Sequence, residues 1–466
     1  MKKRPNILFL MTDEQRHDCL GSVNPVVKTP HLDSLASQGI QFTRAYTTNP
    51  SCVPARASMM TGKLPSQCSS PTFLTHLPDS ETTFMTLLQE AGYYTAVTGK
   101  QHFASSQVEH GYDYEDIIDE HMPPKVLKDG SSYVHFLKNR GHRTNQKLTK
   151  EVGRFCEEWI GQPEEYVDSY VGDKALKWLQ DKRPKGQPWF KCISFLGPHM
   201  PYDGLGLREE SKYSEDEIDL PKTYPSDLKN KPSFYKANAF DGEGNPARNP
   251  SGHFTEKEIK QTRLSYYSNM TAIDNKIGAI VSCLKEIGEY ENTVIFFTSD
   301  HGDFMGDFGM LGKGQYLSEV LIRVPFIVKP PIENYKGQLK DEFVSNMDIA
   351  ATCLRLASAP IPESMQSCDL SLFWEEPYKN WGRNHLYTEA QELRSIRNEQ
   401  FKLIHYSNRN YGELYNLTED PDERFNLWDL KDYTQIKIHL LSSLITEMTH
   451  SELKIDSKWN KHSPSV

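Results

Sequence analysis

Residues 49–62, NPSCVPARASMMTG, set a cysteine, a proline and an arginine two positions apart at the start of a helical pattern. Pro54 suits the first turn of a helix, where its missing N–H costs nothing. Residues 55–60 continue the helix and Gly62 ends it. Cys52 then sits at a helix N-terminus, where free N–H groups and the helix dipole favour an anion. Arg56, one turn on, can point back to the same place. The stretch is either an anion site with a reactive residue inside it or a plain helix start with a half-buried thiol.

Four other pieces carry chemistry. MTDEQ presents Asp13 and Glu14 directly after an apolar run, and TSDHGD presents Asp300 and His301 after another. Two strand ends that both deliver acids point to one shared metal site. Oxygen-rich ligands favour Ca²⁺ or Mg²⁺, and a nitrogen donor such as His301 is compatible with Mn²⁺. Lys313 follows in a glycine-rich loop that can return to the same place. TGKQH gives Lys100 and His102, and GPHMPY gives His199 between two prolines. A lone His or Lys is more often structural or solvated. Their recurrence after apolar runs is what singles these out.

The elements that must position them are legible. Apolar runs at 6–11, 94–98, 189–195, 293–298 and 324–328 read as buried strands. Helical patterns at 29–39, 83–91, 169–179, 261–287 and 348–356 lie between them. Strands alternating with helices predict an α/β fold, a large, mixed, mostly parallel sheet covered by helices on both faces. Ligands in such folds bind beyond the C-terminal strand ends. The sequence divides into residues 1–374 and a smaller α+β unit, 375–466. There HLYTEA, SIRNE, FKLIHYS and GELYNL predict a small antiparallel sheet, and IKIHLLSSLITEMTH a closing helix. Residues 121–165 and 201–255 are polar, irregular insertions of the kind that form functional loops.

Composition excludes some functions. The 466 residues are 37% hydrophobic and 25% charged, which is ordinary for a globular protein. A formal charge of −10 with no basic block argues against nucleic acid as a partner. The opening MKKRPNILFLMTDEQ has a short apolar run ended by Asp13 and Glu14, with no cleavage site. It reads as a first strand rather than a signal peptide, so a cytoplasmic location is expected. No stretch approaches the ~20 apolar residues that span a bilayer, so no membrane partner is expected. The eight cysteines form no C-x-x-C pair and read as small core residues in a reducing compartment, Cys52 excepted.

In Cys52-x-Pro54-x-Arg56 followed by Thr61-Gly62, the chain resembles the sulfatase family of the alkaline-phosphatase-like superfamily. Supporting matches are PNILFLMTDE, TPHLDSLASQGIQFTRAY, GYYTAVTGKQH, PHMPY, TSDHGDFMGDFGMLGKGQYLSE and ELYNLTEDPDERFNL, in order from residue 5 to about 427. The resemblance implies that a maturation enzyme oxidises Cys52 to formylglycine, whose hydrate is the nucleophile. It implies a divalent metal, Ca²⁺ with Mg²⁺ or Mn²⁺ as alternatives, held by Asp13, Glu14, Asp300, His301 and the matured residue 52. Asp300 would also assist deprotonation of the nucleophile. Arg56 would stabilise its oxygens, and Lys100, His199 and Lys313 would grip the sulfate. His199 and Lys313 would protonate the leaving oxygen, and His102 would take the proton that lets sulfate depart. Glu14 stands where many members carry a second aspartate. One methylene longer, it either coordinates, swings away or leaves coordination to a neighbour.

The expected activity is sulfuric ester hydrolysis on a small sulfated saccharide of glycosaminoglycan or mucin type. The insertions supply aromatics (Tyr133, Phe136, Tyr202, Tyr235) and cations (Arg140, Arg143, Arg208, Arg248) that either shape a glycan pocket or form solvated surface. A phosphonate monoester hydrolase or phosphodiesterase of the same superfamily is the alternative enzyme. A non-catalytic binder of sulfated glycans is the alternative of another class.

Overall fold

Strands covered on both faces need apolar side chains at every position rather than at every second one. The runs read from the sequence accordingly form the centre of one eight-stranded sheet. The computed structural model describes residues 4–103, 110–119, 132–143, 148–153, 156–204, 213–233, 235 and 254–453. The chain opens with β1 (Asn6–Thr12), β2 (Ile40–Tyr46), β3 (Tyr94–Gly99) and β4 (Tyr114–Ile117). A small hairpin follows, β5 (Thr149–Gly153) and β6 (Cys156–Trp159). The main sheet is completed by β7 (Trp189–Ser194), β8 (Thr293–Ser299), β9 (Phe326–Lys329) and β10 (Gln338–Ser345). Its spatial order is β10-β2-β9-β8-β1-β7-β3-β4, and β9 alone runs against the other strands.

Helices cover both faces. On one lies α1 (Pro30–Ser37); on the other lies α2 (Cys52–Thr61), with α3 (Phe84–Glu90) beside it. After α4 (Ser132–Asn139) come α5 (Val167–Lys177), α6 (Glu256–Glu286) and α7 (Asp348–Ala357), the last on the α2 side. Leu32 of α1, Val171 of α5 and Ile273 of α6 share one buried cluster with Leu8 and Leu10. Met59 of α2, Leu88 of α3 and Ile349 of α7 join the cluster around Phe9 and Phe296 on the opposite face. Alternate residues of β1 thus feed two separate cores, as the period-2 geometry of a strand requires.

The C-terminal sheet is antiparallel and in chain order, β11 (His385–Ala390), β12 (Leu393–Asn398), β13 (Phe401–Tyr406) and β14 (Gly412–Asn416). The closing helix α8 (Thr434–Leu453) lays Leu440 and Leu444 on Ile396, Leu403 and Leu414. Buried charge fastens this sheet to the body. Lys402 on β13 lies 3.1 Å from Glu319 and 2.7 Å from Glu423, and Tyr46 on β2 donates to Glu319 at 2.6 Å.

The insertions are more regular than their composition suggests. Residues 132–139 are helical, and the β5–β6 hairpin extends onto Tyr202 and Gly204 through isolated bridges. Tyr202 and Tyr235 are fully buried, so neither offers a face to a glycan. Tyr133 and Phe136 pack on Tyr170. Arg208 and Arg248 lie outside the described residues. No helix among the described residues is long and apolar enough to cross a membrane.

Candidate active site

The parallel strands end on one edge, and their C-terminal ends deliver the chemistry-bearing residues to it. After β1 come Asp13 and Glu14, after β8 come Asp300 and His301, and after β3 come Lys100 and His102. His199 follows β7, and Cys52 opens α2 after β2. Gly99 shows how tight this edge is. A Cβ there would stand 1.9 Å from the Ser194 carbonyl oxygen of β7, and φ is +97°. Only glycine lets the chain turn there and deliver Lys100.

Helix α2 starts as the sequence predicts. Ser51 is its N-cap, and Gly62, at φ +67°, closes it in the left-handed conformation. Cys52 differs from the expectation in one respect: like six of the other seven cysteines it is buried. What sets it apart is its surroundings. Its Sγ lies 3.1 Å from His301 Nε2 and 3.7 Å from Asp13 Oδ1. One ligand atom each from Asp13, Cys52, Asp300 and His301 can be chosen so that all lie within 4.8 Å of one another.

The donor set fits a divalent cation. His301 Nδ1 lies 2.9 Å from the Gly302 carbonyl oxygen, which can only accept. The proton is therefore on Nδ1, and Nε2 turns a lone pair towards Asp13 and Cys52, the arrangement metal-binding histidines use. Two buried carboxylates and one imidazole lone pair make a mainly oxygen-donor site.

Arg56 points back to the place where Cys52 sits, as its spacing suggests, and its bonds there go to the two carboxylates. Its Nε donates to Asp300 Oδ2 at 2.7 Å and Nη2 to Asp13 Oδ2 at 2.8 Å. Nη1 donates to the Lys100 carbonyl and to Ser194 Oγ. Its described hydrogen bonds thus hold the two carboxylates in place and leave none to residue 52. Burial raises the Asp13 carboxyl, but Lys100 (2.8 Å away) and Arg56 outweigh it and hold it well below the usual range. Burial, with Asp13 beside it, pushes the Cys52 thiol up to about 12. An unmodified thiol there is neutral and a poor nucleophile.

Glu14 leans away from the Cys52–Asp300–His301 side. Its Oε2 accepts from Lys313 Nζ at 3.1 Å and lies 3.2 Å from His199 Nε2. It groups with Asp13 and His199 as a second potential donor set. His199 Nδ1 lies 2.5 Å from the Met200 carbonyl oxygen, so its Nε2 accepts from Lys313 Nζ at 2.7 Å. His102 is buried at φ +48°, its backbone N–H held by Asp119 at 3.0 Å.

The sequence reading missed several residues that hold these groups. Asp119 accepts the amides of Gln101 and His102. Asn346 donates to the Ser299 carbonyl beside Asp300. Tyr266 donates to the Glu14 carbonyl at 2.6 Å. Asp303 accepts from Tyr202 and from the Gly312 amide, which ties the His199 segment to the loop leading to Lys313. Tyr202 and Asp303 lie within motifs quoted above, so a signal existed for them; for the others no local pattern marks them.

A family profile described as Sulfatase matches residues 5–359, and one described as N-sulphoglucosamine sulphohydrolase, C-terminal, matches residues 306–450. The chain is 29% identical to an arylsulfatase of Clostridium perfringens over 96% of its own length and 95% of that protein's. It is 26% identical to an N-acetylglucosamine-6-O-sulfatase of Bacteroides thetaiotaomicron, over 97% and 87% respectively. In fold it is similar to the phosphonate monoester hydrolase of Agrobacterium radiobacter, with a TM-score of 0.83, 22% identity and 96% of both chains covered. It is also similar to a structure solved in complex with its substrate D-glucosamine-2-N,6-O-disulfate, with a TM-score of 0.74, 22% identity and 97% and 98% coverage. At these identities the two structures speak for the fold alone.

Proposed function

This chain belongs to the sulfatase family and is a sulfuric ester hydrolase, and from that premise we propose that its substrate is a sulfated carbohydrate, opened by a nucleophile made from Cys52 beside a divalent cation. The observation that carries the reading is the meeting of Cys52 with Asp13, Asp300 and His301 inside a ring of cations. One relative is named for N-acetylglucosamine 6-sulfate and another for ulvan, which supports a sugar as the alcohol.

Asp13, Asp300 and His301 would hold the cation, Ca²⁺ first among Ca²⁺, Mg²⁺ and Mn²⁺, with Glu14 aimed instead at Lys313 and His199. A cation held there would supply Lewis acidity towards a sulfate oxygen, and position 52, once matured to formylglycine, would supply the attacking hydroxyl. The chain's own groups do the rest. Arg56 keeps Asp13 and Asp300 aimed at the centre. Lys100 and Lys313 bind the negative sulfate oxygens, and burial makes each contact stronger than it would be in water. An alkoxide is a poor leaving group, so its oxygen needs a proton as the S–O bond breaks. Lys313 Nζ, bonded at once to Glu14 and His199, is the proposed donor, with His199, in its doubly protonated form, as the second. Asp300 and His102 are the proposed proton acceptors on the side of residue 52.

Mass spectrometry of the tryptic peptide 45–56 tests the nucleophile, and sulfate release from sugar sulfates tests the substrate. A thiol at position 52 in protein from its own host removes the proposed cycle. Faster turnover of phosphonate monoesters than of any sulfate ester replaces the substrate reading with the phosphonate one.

A further inference from the structure

We infer that Tyr202 and Asp303 are a positioning pair for the proton donor: their hydrogen bond sets Lys313 against His199, so that the leaving oxygen is protonated as the S–O bond breaks. The inference rests on the sulfatase reading and adds to it what holds the acid in place. His199 and Lys313 stand 114 residues apart in the chain, yet Nζ of one lies 2.7 Å from Nε2 of the other. Neither residue belongs to a helix or a strand. Regular backbone structure therefore does not fix their contact, and side chains must.

Tyr202 supplies the brace from the His199 side. Its hydroxyl donates to Asp303 Oδ2 at 2.6 Å and accepts from the Gly312 N–H at 3.0 Å. Asp303 Oδ1 accepts the same Gly312 N–H at 2.9 Å and the Met305 N–H at 2.7 Å. Three groups thus close a ring that lies one residue before Lys313 and three residues after His199. A buried phenol hydroxyl needs some partner, so burial alone would make Tyr202 an ordinary core residue. Its partners set it apart, because Asp303 and Gly312 both belong to the loop that delivers Lys313. The ring is anchored on two sides. Glu157 N–H on β6 donates to the Tyr202 carbonyl at 2.9 Å, and Trp159 N–H donates to the Asp203 carbonyl at 3.0 Å. Arg16 Nη1 donates to the Asp303 carbonyl at 3.0 Å. The hairpin β5–β6 thereby holds the segment that follows His199, which gives part of the insertion at 121–165 a task other than lining a glycan pocket. A donor displaced by about 1 Å can lose up to about 100-fold in rate, so the brace bears directly on turnover.

Y202F keeps the ring and deletes the one hydroxyl. It is compared with the parent on propyl sulfate, whose alkoxide needs a proton, and on 4-nitrophenyl sulfate, whose phenolate does not. We expect kcat on propyl sulfate to fall about 5- to 50-fold and on 4-nitrophenyl sulfate by no more than about threefold. D303N breaks the same bond from its other end and should show the same split. On a Lys313→Ala background, Y202F should change turnover of phenyl sulfate by less than about twofold, because the group it positions is gone. Equal losses on the propyl and 4-nitrophenyl esters, no loss on propyl sulfate, or a full further loss on top of K313A overturns the pair and leaves Tyr202 as core packing. Turnover of 4-nitrophenyl sulfate by the parent is read first and answers for the sulfatase reading separately. If phosphonate monoesters are turned over faster, that reading falls, and the same comparison of alkyl with aryl leaving groups on those esters still decides for or against the pair.

Discussion

Glu14 Oε2 lies 3.1 Å from Lys313 Nζ, and His199 Nε2 lies 2.7 Å from the same nitrogen. One ammonium group thus donates to a carboxylate and an imidazole at once. The carboxylate reaches it because Glu14 is one methylene longer than an aspartate and its backbone is left-handed, at φ +66°. E14Q keeps the length and removes the charge, so Lys313 loses its anchor. We expect kcat on alkyl and sugar sulfates to fall about 10- to 100-fold. An aryl sulfate with an acidic phenol needs no proton on its leaving oxygen and should lose no more than about threefold. A loss of the same size across leaving groups of rising acidity would place Glu14 with the metal instead.

Arg56 joins two carboxylates that are themselves fully buried, Asp300 at 2.7 Å and Asp13 at 2.8 Å. Removing one partner of a buried ion pair leaves uncompensated charge, which costs about 3–5 kcal/mol. R56A should therefore lower unfolding stability by that amount in urea titrations. R56K keeps the charge but cannot fork between two carboxylates. It should fall between R56A and the parent in stability and bind Ca²⁺ more weakly than the parent. Stability of R56A within about 1 kcal/mol of the parent contradicts the pairing.

These two residues also show what a sequence gives and withholds. Asp13 and Asp300 were legible because each follows a strand buried on both faces, and such strands are unbroken apolar runs. Arg56 was legible as a site residue from its spacing to Cys52, but its partners were not. It turns to carboxylates 43 and 244 residues away in the chain, and no local pattern encodes that. The strands β2 and β10 escaped for a related reason. IQFTRAY and QLKDEFVS mix half-buried and exposed polar positions with apolar ones, so neither reads as a continuous core strand. Asp119 and Asn346 act only through backbone groups brought near by the fold. The C-terminal strands were read closely because tight turns mark each end of short alternating runs.

The joint between the C-terminal sheet and the body should be sensitive to acid. Burial raises Glu319, but Lys402, Arg397 and the Tyr46 hydroxyl outweigh it and hold its carboxyl down at about 2. A carboxyl whose folded value lies below its usual 4.5 adds stability above that pH. The contribution is lost as pH falls from about 4.5 towards about 2. Glu423 shares Lys402 and is raised by burial, so it does not deepen that loss. The parent should lose Tm as pH falls from about 4.5 towards about 2. E319Q should start lower at neutral pH, by about 3–5 kcal/mol, and lose less on acidification. Parallel Tm profiles for the two proteins would place the acid-sensitive group elsewhere.

Removing the metal should abolish turnover without unfolding the chain. Three buried carboxylates, Asp13, Glu14 and Asp300, meet three buried cations, Arg56, Lys100 and Lys313. The site is balanced by its own side chains, so an absent cation leaves no large uncompensated charge. Chelation should therefore stop sulfate release while shifting Tm by only about 1 °C, roughly what 1 kcal/mol does in a chain of this size. A bound divalent cation makes the centre positive, and a sulfate anion then offsets it. Binding of the two is linked, and each must tighten the other by the same factor. Calorimetric titration of Ca²⁺ into chelated protein, with and without inorganic sulfate, measures that factor. We expect sulfate to strengthen Ca²⁺ binding by about 5-fold or more. Identical Ca²⁺ affinities in both titrations would mean that the anion and the cation do not share the Asp13–Asp300–His301 centre.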